Sequence, residues 1–199
     1  MTTTTHTPWR ALFVLLLGLL GCSACSDDDG PAFLFDNQGE CYAASVNALS
    51  KEDFARQVVG FGWKHVSTYE INTGGNPSGK EYYTGLVGVT PSTYYFESNH
   101  ALKEYLYVDA LPARGFRTRT YAFEEGSNKI LSETQIAPRQ IVSLKGDVMK
   151  LIVYIGLQST GGGTYRHIYG YATYHRMTDK ELTACQEQYT IDFDQPTQE

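Results

Sequence analysis

Cysteine is scarce: the 199 residues hold Cys 4. One Cys-x-x-Cys occurs, Cys22 and Cys25, close behind an apolar run near the start. The other two, Cys41 and Cys185, lie far apart, which excludes a recognisable redox centre in the body of the chain. Basic charge is also short, with Lys+Arg 16 against Asp+Glu 22 and a formal net charge of -6. Without a basic run, the chain lacks the electrostatic footprint of a nucleic-acid binder. No apolar stretch is long enough to cross a bilayer as a helix; Ala11 to Leu20, "ALFVLLLGLL", is about half the length required. There is no HxH, HExxH or GxSxG, and the glycine-rich "STGGGTY" lacks the lysine of a phosphate loop. The histidines offer no metal-ligand spacing, so no metal or cofactor is expected. With no catalytic motif, a non-enzymatic role is expected.

What is abundant is apolar and aromatic. Hydrophobic residues make up 42% and aromatics 13%, with Tyr 15 leading. Such a chain can bury a core, and tyrosine favours half-buried strands. Length and composition fit one ordinary domain after any targeting segment.

The start reads as processing. Arg10 is a lone positive charge, followed by the short apolar run and then small residues, the pattern of a secretory signal. "LLGC", Leu19 to Cys22, resembles the lipobox of bacterial lipoproteins, in which the cysteine takes a lipid and becomes the new N-terminus. "CSAC" offers Cys25 as a second site. "SDDD", Ser26, Asp27, Asp28 and Asp29, resembles the export signal of Bacteroidota lipoproteins, which follows the lipidated cysteine and sends the protein to the outer face of the outer membrane. Cysteine parity also favours Cys25. If Cys22 leaves with the leader, Cys41 and Cys185 remain as an even pair in an oxidising compartment and are expected to form a disulfide. Cys22 has the better lipobox and stays as the alternative. The expected organisation is a signal over 1–24 (or 1–21), a tether and irregular segment over 25–47, a barrel domain over 48–193 and a tail over 194–199.

Ser50 to Gly60 predicts a short helix, with Ser50 as cap, Asp53 at the third helical position, and Phe54, Val58 and Val59 as its apolar face. Strand patterns follow at intervals of 8 to 12 residues, from "GWKHVSTYEIN" to "TYRHIYGYATYHR", divided by turns such as "TGGNPSG", "EEGSN" and "STGGG". "KEYYTGLVGV" is predicted as one of the strands, and "ALKEYLYVDALP" fits helix or strand. Thr178 to Tyr189 predicts a closing helix with Thr178 as cap and Glu181 completing a capping box. Helix, about eight strands, helix is the expected order. The fold class is mainly β, an antiparallel up-and-down barrel with a short N-terminal and a C-terminal helix.

Gly62–Trp63 at the first strand and Arg176 at the end of the last resemble the floor of lipocalin-like barrels. There a guanidinium lies over an indole, a contact worth about 1–2 kcal/mol when dry. The chain is similar to small lipocalin-like lipoproteins of Bacteroidota, a family largely without assigned function. The resemblance implies a membrane attached through a covalent lipid anchor. If the inward face of the first strand carries Trp63, it also carries His65, Ser67, Tyr69 and Ile71; if Arg176 points inward, so do Tyr174, Ala172, Gly170 and Ile168, whereas with the opposite face inward His167, Tyr169, Tyr171 and Thr173 line the lumen and crowd it with aromatics. Gly170 and Ala172 would leave space, so His65, Tyr69, Gly170, Ala172 and Tyr174 are candidate lining residues for a small apolar or amphipathic ligand. The alternative is a filled barrel whose tyrosine-rich face or loops dock a protein partner in the envelope.

Overall fold

The computed structural model describes residues 32–84, 86, 91–109, 112–133 and 137–195. Cys22, Cys25 and Ser26 to Asp29 lie outside the described residues. A hairpin of β1 (Phe33–Phe35) and β2 (Cys41–Ala43) comes first, then helix α1 (Lys51–Gln57). The strands that follow are β3 (Gly62–Ile71), β4 (Pro77–Glu81), β5 (Thr93–Phe96), β6 (Ala101–Val108), β7 (Ala113–Glu124), β8 (Lys129–Ser132), β9 (Arg139–Lys145), β10 (Val148–Gly161) and β11 (Thr164–Arg176). Helix α2 (Asp179–Gln188) and a short β12 (Ile191–Asp192) close the described chain.

Each of β5 to β10 pairs antiparallel with the next, β3 pairs with β5, and β11 returns to β3. These eight strands form a closed up-and-down barrel, and closure leaves no free edge around the ring. β4 pairs with β3 beyond the short β5, and β12 lies parallel to β7 beyond the short β8.

Both helices start as their sequences dictate. The Ser50 side chain accepts from the Asp53 backbone N–H at 3.0 Å, and Thr178 and Glu181 form the full capping box. Phe54 of α1 stacks on Phe123 at 4.2 Å between ring centroids and meets Phe96 and Tyr121 edge-on. The helix thus plugs one end of the barrel. Val58 is also buried there, and Val59 packs against the same cluster.

Three expectations are revised. β4 is the five-residue Pro77–Glu81 rather than "KEYYTGLVGV": Tyr82 and Tyr83 already lie in a turn, and 87–90 are outside the described residues. The 25–47 segment is more than a tether. Its β1–β2 hairpin lies on the outside of the barrel, where Phe33, Cys41 and Ala43 form a second core with Ile71, Val142, Ile152 and Tyr169. Third, Cys41 and Cys185 are free thiols and form no disulfide. Cys41 is buried beneath that hairpin, whereas Cys185 sits on α2, whose neighbours include Tyr105 and Lys64. The two cysteines therefore belong to different packing environments.

Candidate functional site

The floor comes first because it limits the lumen. Trp63 is fully buried, and its Nε1–H donates to the Val58 carbonyl at 3.2 Å. The Arg176 guanidinium lies 5.3 Å from the Trp63 ring and 4.1 Å from Phe61, and its Nη2 donates to the Gln57 carbonyl at 2.8 Å. At Gly62 the chain runs close to Met177 and Leu182: a Cβ there would stand 2.8 Å from the Met177 sulfur, so a side chain would have to displace that methionine. Gly62, Trp63 and Arg176 are thus brought together as expected. Above them Phe96, Leu102, Tyr121, Ile130, Ile141, Met149 and Leu151 fill this half of the barrel.

The strand registers decide what lines the other half. Tyr174 pairs with His65, but Thr173 pairs with Ser67, so Val66 is an extra residue, a β-bulge. Past the bulge the alternation of β3 is inverted. Thr68, opposite Ala172, and Glu70, opposite Gly170, face the lumen. Tyr69 and Ile71 turn to the outside, opposite Tyr171 and Tyr169. Tyr69 is therefore not a lumen residue, which corrects that expectation, and Ser67 shares its outward face.

His65, Tyr174, Ala172 and Gly170 do face inward, yet the two small residues leave no gap. A Cβ on Gly170 would lie 2.4 Å from Thr68 Cγ2 and 3.3 Å from Ile155 Cγ2. Thr68 and Ile155 occupy the expected space, and Ala172 is fully buried in the core.

A polar and aromatic layer sits directly above the filled floor. Tyr94 and Tyr174 stack with ring centroids 5.0 Å apart, and His65 meets Tyr174 and Tyr83 edge-on at 5.5 Å and 5.3 Å. His65 Nε2 and Thr68 Oγ1 share a hydrogen bond of 2.7 Å. Arg139 lies 4.6 Å from the Tyr94 ring, and its Nη2 is ion-paired with Glu104 from across the barrel. Their side chains are 7% and 14% exposed, so the pair is nearly dry. Arg139 Nη1 has no hydrogen-bond partner among the described residues, and neither has Ser132 Oγ.

Burial shapes the protonation of this layer. It pushes the Tyr174 phenol well above its usual value, with Tyr94 adding to the effect, and it raises Tyr83 similarly. Both phenols remain neutral donors at physiological pH. Burial also pushes the His65 imidazole down, which the Glu81 carboxylate only partly opposes, so His65 is held neutral.

Further along the axis the lumen wall becomes wetter. Arg166 and Glu70 pair at 3.1 Å and are each about a third exposed, at 32% and 31%. Arg117, opposite Glu104 in the register, is exposed. The barrel is thus closed and apolar at the α1 end and polar at the other. On its wall, a cleft of about 280 Å³ lies between Thr120–Ala122 of β7 and Leu131–Glu133 around the end of β8.

Sequence reasoning found His65, Tyr174, Gly62, Trp63 and Arg176. It missed Arg139, Glu104, Tyr94 and Ser132. In "RQIVSL" the apolar run follows the arginine, so nothing local marked Arg139 as an inward charge. Comparisons with family models, with curated proteins and with solved structures find no match to this chain.

Proposed function

We propose that the protein is a lipid-anchored surface lipoprotein of a Bacteroidota-type outer membrane, whose barrel binds a small amphipathic ligand in its polar half. The N-terminal pattern supports the address: Cys25 (or Cys22) as lipid site, with Ser26 and Asp27 to Asp29 behind it. The layered lumen carries the binding reading. An apolar floor leads to an aromatic layer holding a buried arginine, and then to a polar rim. That sequence of environments fits a molecule with one polar end and a short apolar part. The filled floor argues against a long chain threaded through the barrel.

The competing reading is a docking module for an envelope protein. One observation favours it: the projecting β10–β11 hairpin exposes Leu157 at 54% and Tyr165 at 67%. Against it, part of the tyrosine-rich outer face is already covered by the chain's own hairpin. Phe33 packs on Tyr171 with centroids 5.0 Å apart, and Phe35 packs on Tyr169 at 6.2 Å.

Native mass spectrometry of the protein isolated from its own envelope tests the binding reading. A retained small molecule is the expected result. A bare barrel, together with recovery of one stoichiometric protein partner by crosslinking, would favour the docking module. Intact mass of the N-terminal peptide tests the anchor, with an acylated Cys25 expected.

A further inference from the structure

We infer that the molecule held in the barrel carries a carboxylate, and that this group accepts hydrogen bonds from Arg139 Nη1 and Ser132 Oγ. The inference rests on the reading of the barrel as a binding module and names the chemical class of its ligand.

Arg139 is more than nine-tenths buried; Glu104 takes its Nη2 and the Tyr94 phenol is within its reach, while Nη1 has no partner among the described residues. A guanidinium presents five N–H donors, and one left unmade away from water is unfavourable. Ser132 is the second observation. Ile130 pairs with Arg139 and is buried in the barrel core, so Ser132, two residues further along β8, faces the same way. It is the diagonal neighbour of Arg139 on the same face of the sheet. Its Oγ is also buried without a partner among the described residues.

The other charges here are matched: Arg139 Nη2 pairs with Glu104, Arg119 with Asp194 and Arg166 with Glu70, Arg117 stands opposite Glu104, and the Glu81 carboxylate faces His65. A carboxylate accepts from a charged N–H more strongly than a neutral hydroxyl does, and an ammonium group cannot accept at all.

Isothermal titration of the full chain in nanodiscs, with empty nanodiscs as blank, tests this using hexanoate, hexan-1-ol and hexylammonium. Hexanoate is expected to bind at least tenfold more tightly than the other two. Removing Arg139 alone strands Glu104, so the informative variant is Arg139→Gln combined with Glu104→Gln, its fold checked by thermal melting. It should bring hexanoate to within about twofold of hexan-1-ol, and Ser132→Ala should lose part of the preference while still folding. Equal binding of hexanoate and hexan-1-ol would overturn the inference, as would a preference that survives both variants. An occupant recovered from the envelope without an acidic group would overturn it too, yet leave the barrel a binding module. If no occupant is recovered and none of the three probes binds, the binding reading falls with it.

Discussion

Val66 decides which way half of β3 faces. One extra residue inverts the alternation, so Thr68 and Glu70 enter the lumen while Tyr69 and Ile71 leave it. The consequence is sharpest at Gly170, whose missing side chain makes room for the Thr68 methyl. Gly170→Ala should therefore lower stability by about 1–3 kcal/mol in chemical denaturation, the usual effect of overpacking. Thr68→Ser in the same chain should restore most of the loss, because it removes the clashing methyl and keeps the hydroxyl that meets His65. His65 itself has a pH signature. Its folded pKa lies below the ordinary 6.5, so the unfolded chain takes up the proton first as pH falls. Its contribution is complete above about pH 6.5 and declines as pH falls from there towards the folded value. The difference in unfolding free energy between wild type and His65→Gln should grow more negative for the wild type over that window and be flat above it. The thiols give a third residue-level test. Burial, with the Glu40 charge adding to it, pushes the Cys41 thiol up to about 12, and the half-buried Cys185 is raised by burial as well. Mass spectrometry after alkylation in denaturant without reductant should show Cys41 and Cys185 both modified. In the native state Cys185 should react first, since Cys41 lies under the hairpin.

At the scale of elements, the hairpin β1–β2 and the linker behind it clamp the barrel from outside. Gln140 accepts from the Ala43 N–H at 2.8 Å, and Asn128 accepts from the Leu49 N–H at 2.8 Å and donates to the Asn47 carbonyl at 2.8 Å. Phe33 is buried against Tyr171, so Phe33→Ala should cost about 3–5 kcal/mol, as deletion of a buried phenylalanine does, measured by urea denaturation. Little loss would mean that the hairpin detaches freely. This clamp was hard to read from sequence. Strands of three residues carry no sustained period, and their partners lie far along the chain. Both helices, by contrast, were legible to their caps, because Ser50–Asp53 and Thr178–Glu181 are local signals. The long strands β7, β10 and β11 were legible from alternation, whereas the bulge at Val66 was not, since alternation continues through it in the sequence. Arg139 and Glu104 were invisible for the same reason that they matter: their pairing exists only after the barrel closes.

For the whole molecule, the barrel has two unlike halves. The α1 end is filled by aromatic and aliphatic side chains around Trp63, and the other half holds a nearly dry ion pair among tyrosines. On the proposed reading a ligand sits beside Tyr94, Arg139 and Tyr174, whereas the competing docking role would fall to the hairpin that carries Leu157 and Tyr165. Chemical-shift mapping of the chain, titrated with the small-molecule extract of its own envelope, separates the two most directly. Shifts concentrated at Tyr94, Arg139, Tyr174 and Ser132, with the tip of β10–β11 unmoved, are the expected result of lumen binding. Shifts confined to the hairpin tip, or none in the lumen at saturating extract, would contradict it.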